Sequence, residues 1–316
     1  MVTFLVRRLA HALLVLLVVC SVTFGIVHAA PGGPSLLADP KLSAVEREAI
    51  ARRLGVDRPL TEQYVRWMVR LAQGDLGNSF LYETSTLSTI AQRLPNTVLL
   101  AGAALLLSIA VALPLAAWCA ERPGGALDRV VGALALGAIS VPVFWLGIVL
   151  ILVVAVYAGL LPAGGASTAG GDASAADRLR HLLLPAIVLA AAGTAELWRY
   201  TRGSALRQWQ RPFVRTARAK GVPARAVRWR HAMRNALIPT VTVLGLQLPR
   251  LVGGAAITET VFAWPGMGRL GIEAALARDY PLVMGITLLV SAGVLLASLL
   301  VDLAYLALDP RIRSQG

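Results

Sequence analysis

Apolar residues in this chain gather into long runs with few charges, at 9–30, 97–120, 130–160, 182–201, 240–262 and 282–308. A helix needs about 20 such residues to cross roughly 30 Å of hydrocarbon, so the pattern predicts six membrane-spanning helices and an all-α membrane protein. The longest polar interval, 31–94, reads as two short amphipathic helices at 41–54 and 61–73, with Pro31-Gly32-Gly33-Pro34 ending the first span. Three parts follow: 1–94, a span with its polar segment; 95–308, a five-helix core with a loop at 203–239; and 309–316, a tail.

Particular residues stand out within the runs. Asn96, after Pro95, is placed to cap the second span, and Pro114 to bend it. Pro142 interrupts the third span and frees a backbone carbonyl, which fits either an ordinary kink or a position lining a pathway. Gln247, Pro249 and Arg250 lie inside the fifth span, where a cation is costly unless it meets water or a partner. Arg250 either lines a pathway or pairs with Glu196, Glu259 or Asp302. Glu196, Arg199 and Arg202, spaced by three, share one face near the end of the fourth span and can reach the headgroups. Residues 164–176, rich in Gly, Ala and Ser, read as a flexible loop. Trp264-Pro265-Gly266-Met267-Gly268 reads as a turn, 270–276 as a short helix, and Pro281 as the start of the sixth span.

Composition agrees: with 57% hydrophobic residues and a mean hydropathy of +0.68, 316 residues have too little polar surface to coat a water-soluble globule. The first run, with Arg7-Arg8 before it and Ala29-Ala30 at its end, has the outline of a cleavable signal peptide, but it fills a membrane thickness and is read as a span.

The net charge of +13 is unevenly placed. Arg199, Arg202, Arg207, Arg211, Arg215, Arg218, Lys220, Arg225, Arg228, Arg230 and Arg234 follow one another with no acidic residue between them. Short basic loops resist translocation, so six crossings put this block, Arg7-Arg8 and Arg311/Arg313 on the cytoplasmic face. The charge-balanced loops 163–181 and 263–280 then face outward. Topology thus accounts for the charge without nucleic acid, and no aromatic-interleaved basic platform is present.

Catalytic constellations are missing. Lys41 and Lys220 lie outside any Gly-Lys-Ser/Thr context, so there is no phosphate-binding loop. His11, His28, His181 and His231 are scattered, and Cys20 and Cys119 sit in separate spans without metal or disulfide spacing. No catalytic residue, metal site or enzymatic activity is expected of the chain.

Several motifs remain: Gly-Asp-Leu-Gly-Asn-Ser at 74–79, Arg-Leu-Pro-Asn-Thr at 93–97, Thr-Ala-Arg-Ala-Lys-Gly at 216–221, Arg-Asn-Ala at 234–236, Thr-Glu-Thr-Val-Phe-Ala-Trp-Pro-Gly at 258–266, Arg-Asp-Tyr-Pro at 278–281 and Asp-Pro-Arg-Ile-Arg at 309–313. Through them nearly the whole chain resembles a permease subunit of the peptide/nickel family of ABC importers, most closely the first of the two dipeptide or oligopeptide permease subunits. The resemblance implies a type I importer permease fold in the bacterial inner membrane with both termini cytoplasmic. It implies a pathway shared with a paralogous permease, two ATPase subunits holding ATP and Mg²⁺, and an extracytoplasmic binding protein delivering short peptides. The chain itself would bind no cofactor.

By the same resemblance the ATPase-coupling residues are Arg215, Thr216, Ala217, Ala219, Lys220, Gly221, Arg225, His231, Arg234 and Asn235. Candidate pathway residues are Pro142, Gln247, Arg250 and Glu259, and Trp264, Pro265, Gly266 and Asp279 shape the outer mouth. Gln210-Arg211-Pro212 departs from the acidic character the family has at that point. Alternative cargoes are nickel or another small solute. An ion-coupled secondary transporter would call for inverted repeats and midplane acids, which the sequence does not show.

Overall fold

A computed structural model describes residues 2–29, 33–38, 40–168, 170 and 174–308, except the side chains of 2–5, 38, 238–239, 248–254, 302 and 304–308. The side chains of Pro249, Arg250 and Asp302, and the whole tail 309–316 with Arg311 and Arg313, therefore lie outside what is described.

The architecture is helical, with, among the described residues, one isolated antiparallel bridge between Asn78 and Ser85. In chain order the helices are α1 (Val2–Ala29), α2 (Ala44–Leu54), α3 (Leu60–Ala72), α4 (Thr86–Glu121), α5 (Ala126–Ser140), α6 (Val143–Leu150), α7 (Ala175–Trp209), α8 (Pro212–Ala219), the single turn α9 (Ala224–Ala226), α10 (Arg234–Val261), α11 (Met267–Leu276) and α12 (Tyr280–Leu308). Among the described residues, four of them, α1, α4, α7 and α12, contain stretches long and apolar enough to cross a membrane. The fifth predicted run lies within α10.

The third predicted run is not one kinked helix. Its halves meet at 108°, a broken span or a re-entrant loop. Proline disfavours helical dihedrals in the residue before it, and Val141 is accordingly extended, so α5 stops at Ser140 and Pro142 caps α6. Beyond α6 the chain continues as a π-helical stretch, Ile151–Tyr157.

The second predicted run also differs. The helix begins at Thr86 and passes through Pro95 and Pro114, so Asn96 is no cap; its Nδ2 instead donates to the Pro265 carbonyl at 2.9 Å. The added turns are amphipathic: buried Ile90 packs with Met267, Leu270 and Leu282, while Gln92 and Leu94 are exposed.

Two compact units result. The first, Met1–Thr97 with Pro265–Leu296, holds α1 to α3, the start of α4, α11 and most of α12. There Cys20, Phe24 and Met284 pack with Tyr64 and Trp67, and α12 crosses α4 at Gly285, where an added Cβ would lie 2.7 Å from Thr86 Cγ2. The second, Val98–Trp264 with the chain from Ala297 onward, is built around α7, whose buried face meets α4, α5, α6 and α10.

Part of the segment read as a flexible loop is docked within this second unit. The Gly165 N–H donates to Phe262 O at 2.8 Å, His181 Nδ1 lies 2.9 Å from Gly164 O, and Asp177 accepts from the Thr168 N–H at 2.8 Å. A Cβ at Gly164 would stand 2.6 Å from Phe262 O, so close backbone approach requires glycine there.

Candidate functional site

The basic block folds as a helical elbow with a core of its own. Pro212 starts α8 at a position where its missing N–H costs nothing. The exit is a Schellman turn: the Gly221 N–H donates to Arg218 O at 2.9 Å and the Val222 N–H to Ala217 O at 3.2 Å, with Gly221 left-handed at φ +74°. Pro223 then caps a helix that runs from α9 through a π-helical stretch, Val227–Met233, into α10. Val214 and Ala217 of α8 bury against Val227 and Ala232, flanked by Trp209 and Val222. The two largest, Val214 and Val227, are nearly inaccessible, and burying such side chains contributes about 1.5–3 kcal/mol each. The Arg218 guanidinium closes one end, 4.5 Å from the Trp209 ring centroid.

The ten elbow residues singled out from the sequence divide into two groups. Ala217 is core, and Thr216 and Asn235 turn their polar groups back onto Pro212 O and His231 O of their own helices. Arg215, Lys220, Arg225 and Arg234 are exposed and form no ion pair among the described residues; Ala219 and Gly221 are exposed beside them, and His231 is half-buried. The same surface carries aromatics that charge pattern alone does not reveal. Phe213 and Trp229 are each 39% exposed, and Trp229 lines a shallow cleft with Pro223, Arg225 and Arg230.

The block is also less uncompensated than its lack of acidic residues suggests. Arg202 does not simply reach outward: it makes a two-point contact with Asp128 of α5, Nε and Nη2 each 2.5 Å from a carboxylate oxygen. Arg228 pairs with Glu121 at the end of α4. One link ties α7 to α5 ahead of the elbow and the other ties the elbow's second arm to the end of α4, and nothing in the local sequence signals them.

The remaining candidates are dispersed. Gln247 is buried, its Nε2 donating to Gly193 O of α7 at 2.9 Å, and Ser108 and Thr194 join beside it through hydroxyl bonds to each other and to Ala190 O. Glu259 is fully buried, while Pro142 is exposed at the break between α5 and α6. Trp264 is fully buried in the second unit among Leu100, Ala104, Leu182 and Ala186.

In the first unit, Pro265 is half-buried and Gly266 buried ahead of α11. Asp279 is buried too, bonded to Ser79 and the Leu81 N–H, and it caps α12. Nearby, the Gly77 N–H and then the Arg70 guanidinium hold the Asp75 carboxyl below its ordinary value.

Four helices with stretches of membrane-crossing length, a bent α5–α6 pair and a basic elbow between α7 and α10 are the features of an integral membrane protein. The chain belongs to the family of binding-protein-dependent transport system inner membrane components, which it matches over residues 112–314, and it matches the N-terminal part of such components over residues 1–101. It is 37% identical to the oligopeptide transport system permease protein AppB of Bacillus subtilis, over 99% of both chains. It is also 37% identical to the dipeptide transport system permease protein DppB of Escherichia coli over 99% of both, and to the di/tripeptide transport system permease protein DppB of Pseudomonas aeruginosa over 100% of both. In fold it is similar to a chain of the inward-facing MetNI methionine ABC transporter, with a TM-score of 0.56 and 19% identity, over 70% of this chain and 96% of that one.

Proposed function

We propose that the chain is a membrane-spanning permease subunit of an ATP-driven, binding-protein-dependent importer of short peptides. The observation that carries this is full-length similarity to permeases named for oligopeptides, dipeptides and di/tripeptides in three bacteria. The chain crosses the inner membrane six times with both termini cytoplasmic, the bent α5–α6 pair counting as one crossing and α10 as another. A paralogous permease completes the pathway, an extracytoplasmic binding protein delivers the peptide, and two ATPase subunits bind ATP and Mg²⁺ beneath.

The elbow is the lever. Its exposed Arg215, Arg225 and Arg234, which form no ion pair among the described residues, together with the exposed Phe213 and Trp229, suit an ATPase groove with acidic walls and apolar pockets, since aromatic and arginine anchors dominate such interfaces. Arg215, Thr216, Ala219, Lys220, Gly221, Arg225, His231, Arg234 and Asn235 form or border this surface, and Ala217 holds it together from inside. ATP favours one arrangement of the ATPase pair, and a stiff elbow passes that preference to the helices on either side. The braces from Asp128 and Glu121 support this reading, because a lever that bends transmits no force.

The test is reconstitution with the partner subunits in liposomes and measurement of labelled di- and tripeptide uptake. Uptake should require the binding protein and ATP and be lost in Trp229→Ala, which leaves the chain assembled in the membrane. Uptake without any ATPase subunit, driven by a proton gradient, would overturn the proposal.

A further inference from the structure

The first unit contains a cavity of about 550 Å³ that none of the roles above uses, a size within the range of roughly 300–1,000 Å³ of small-molecule sites. Its floor is apolar and aromatic. Phe24 and His28, from the last turns of α1, stack at 3.9 Å, and Trp67, Tyr280 and Met284 complete the base. Its wall is cationic: Arg52, Arg53, Arg58, Arg66 and Arg70 line it against one lining carboxylate, Asp75.

Charge balance within the wall leaves an excess. Arg70 pairs with Asp75 at 2.9 Å and Arg52 with Glu48 at 2.5 Å, while Arg58 and Arg66 share Glu62 at 2.7 and 2.9 Å. Arg53 makes no ion pair among the described residues. One carboxylate serving two arginines and one arginine with none leave guanidinium donors open to an anion, and the planar fork matches phosphate oxygens well.

The setting narrows the anion's identity. The floor begins in the last turns of the apolar window Val6–Ala29, next to Val22 and Ile26, which are 55% and 66% exposed. Val65 and Val69 of α3 also line the cavity and are more than half exposed. A soluble anion would use the arginines and leave these apolar flanks uncovered; a molecule with an anionic head and long apolar tails uses both. We propose that this cavity binds the phosphate of a net anionic membrane phospholipid, its acyl chains lying along the exposed face of α1. Such a lipid would cement α1, α2 and α3 to the start of α12.

The test uses the assembled transporter in mild detergent, equilibrated with a mixture of phosphatidylglycerol and phosphatidylcholine and examined by native mass spectrometry. The wild type should retain phosphatidylglycerol in preference, and Arg53→Gln with Arg66→Gln should reduce that retention about twenty- to thirty-fold, the loss expected for two cations at a membrane surface. Arg53→Lys with Arg66→Lys should keep most of it, and millimolar inorganic phosphate should not displace the lipid. Undiminished retention in the assembled glutamine pair overturns the proposal, as does displacement by inorganic phosphate, which would mark a site for free anions. Should the glutamine pair fail to assemble, Arg53→Gln alone, which breaks no ion pair, is measured: an approximately five-fold loss supports the proposal and no loss refutes it.

Discussion

Ser79 Oγ donates to Asp279 Oδ2 at 2.5 Å, and both side chains are buried although 200 positions separate them in the chain. The same oxygen accepts the Leu81 N–H at 2.9 Å, and the other caps α12 through the Leu282 N–H at 3.1 Å. One carboxylate thus fastens the glycine-rich turn after α3 to the start of a membrane helix. Asp279→Ala removes the cap and leaves the buried Ser79 hydroxyl and the part-buried Leu81 N–H without their acceptor, so it should cost about 2–4 kcal/mol, against about 1–2 kcal/mol for Ser79→Ala. The double variant should lose less than the sum of the two single variants, the non-additivity expected of one shared network, though Ser79→Ala also removes the acceptor of the Tyr82 N–H at 3.0 Å. Thermal unfolding of the purified complex measures all three, and an Asp279→Ala protein as stable as wild type would refute the role.

Gly221 is needed for its dihedral rather than for its size. No atom lies within 4 Å of where its Cβ would stand, yet φ is +74°. Gly221→Val should therefore cost about 1–2 kcal/mol locally, through left-handed strain, and loosen the Schellman turn. Gly221→Asn, which tolerates that region, should cost much less. In reconstituted vesicles the valine variant should insert normally but transport little, and the asparagine variant should transport nearly as wild type. Equal transport by both would remove the elbow's stiffness from the mechanism.

What the sequence reveals of this fold follows a physical divide. Residence in lipid selects composition over about 20 residues, so long apolar runs announce themselves, and Gly221 and Pro223 mark the elbow's turn through backbone chemistry that is local. Element ends settled by packing are not local: α4 begins at Thr86 because Ile90 finds Met267 and Leu282, and a reading that stopped at the apolar run mistook Asn96 for a cap. Ion pairs across 74 and 107 positions, Asp128 with Arg202 and Glu121 with Arg228, leave no trace in either segment. Pro142 announced a break, but its 108° angle is set by what surrounds the two halves. Trp264 reads as a turn residue and sits fully buried because the turn is folded back onto α4 and α7.

That turn carries a testable oddity. α10 ends in a Schellman arrangement like the one at Gly221, with the Ala263 N–H donating to Thr260 O at 3.2 Å and the Trp264 N–H to Glu259 O at 2.8 Å, but the left-handed residue is alanine, at φ +49°. Ala263→Gly relieves the Cβ clash and gives up some unfolded-chain restriction in return. The net should be a gain of about 0.5–1 kcal/mol in thermal unfolding. A loss of stability would mean that the Ala263 methyl contributes packing greater than the strain it causes.

The Asp128–Arg202 contact ties α5 to α7 with two parallel 2.5 Å bonds, and the aspartate side chain is only 6% exposed. Removing one partner of such a pair leaves a poorly solvated charge behind, so Asp128→Ala should cost about 3–5 kcal/mol. Asp128→Asn should cost less, because its amide oxygen, placed where Oδ2 stands, can still accept from Arg202 Nη2 and from the Gly124 N–H at 2.8 Å, leaving only Arg202 Nε without its acceptor. Replacing both partners, Asp128→Leu with Arg202→Met, discards attraction and desolvation together, so it should recover most of the stability lost by Asp128→Ala. Stability and transport need not recover together. If the pair serves only to hold α5 on α7, the Leu/Met variant should transport peptide at close to the wild-type rate. If the brace must remain polar while the elbow moves, stability returns and transport does not; unfolding and uptake measured on one preparation separate the two.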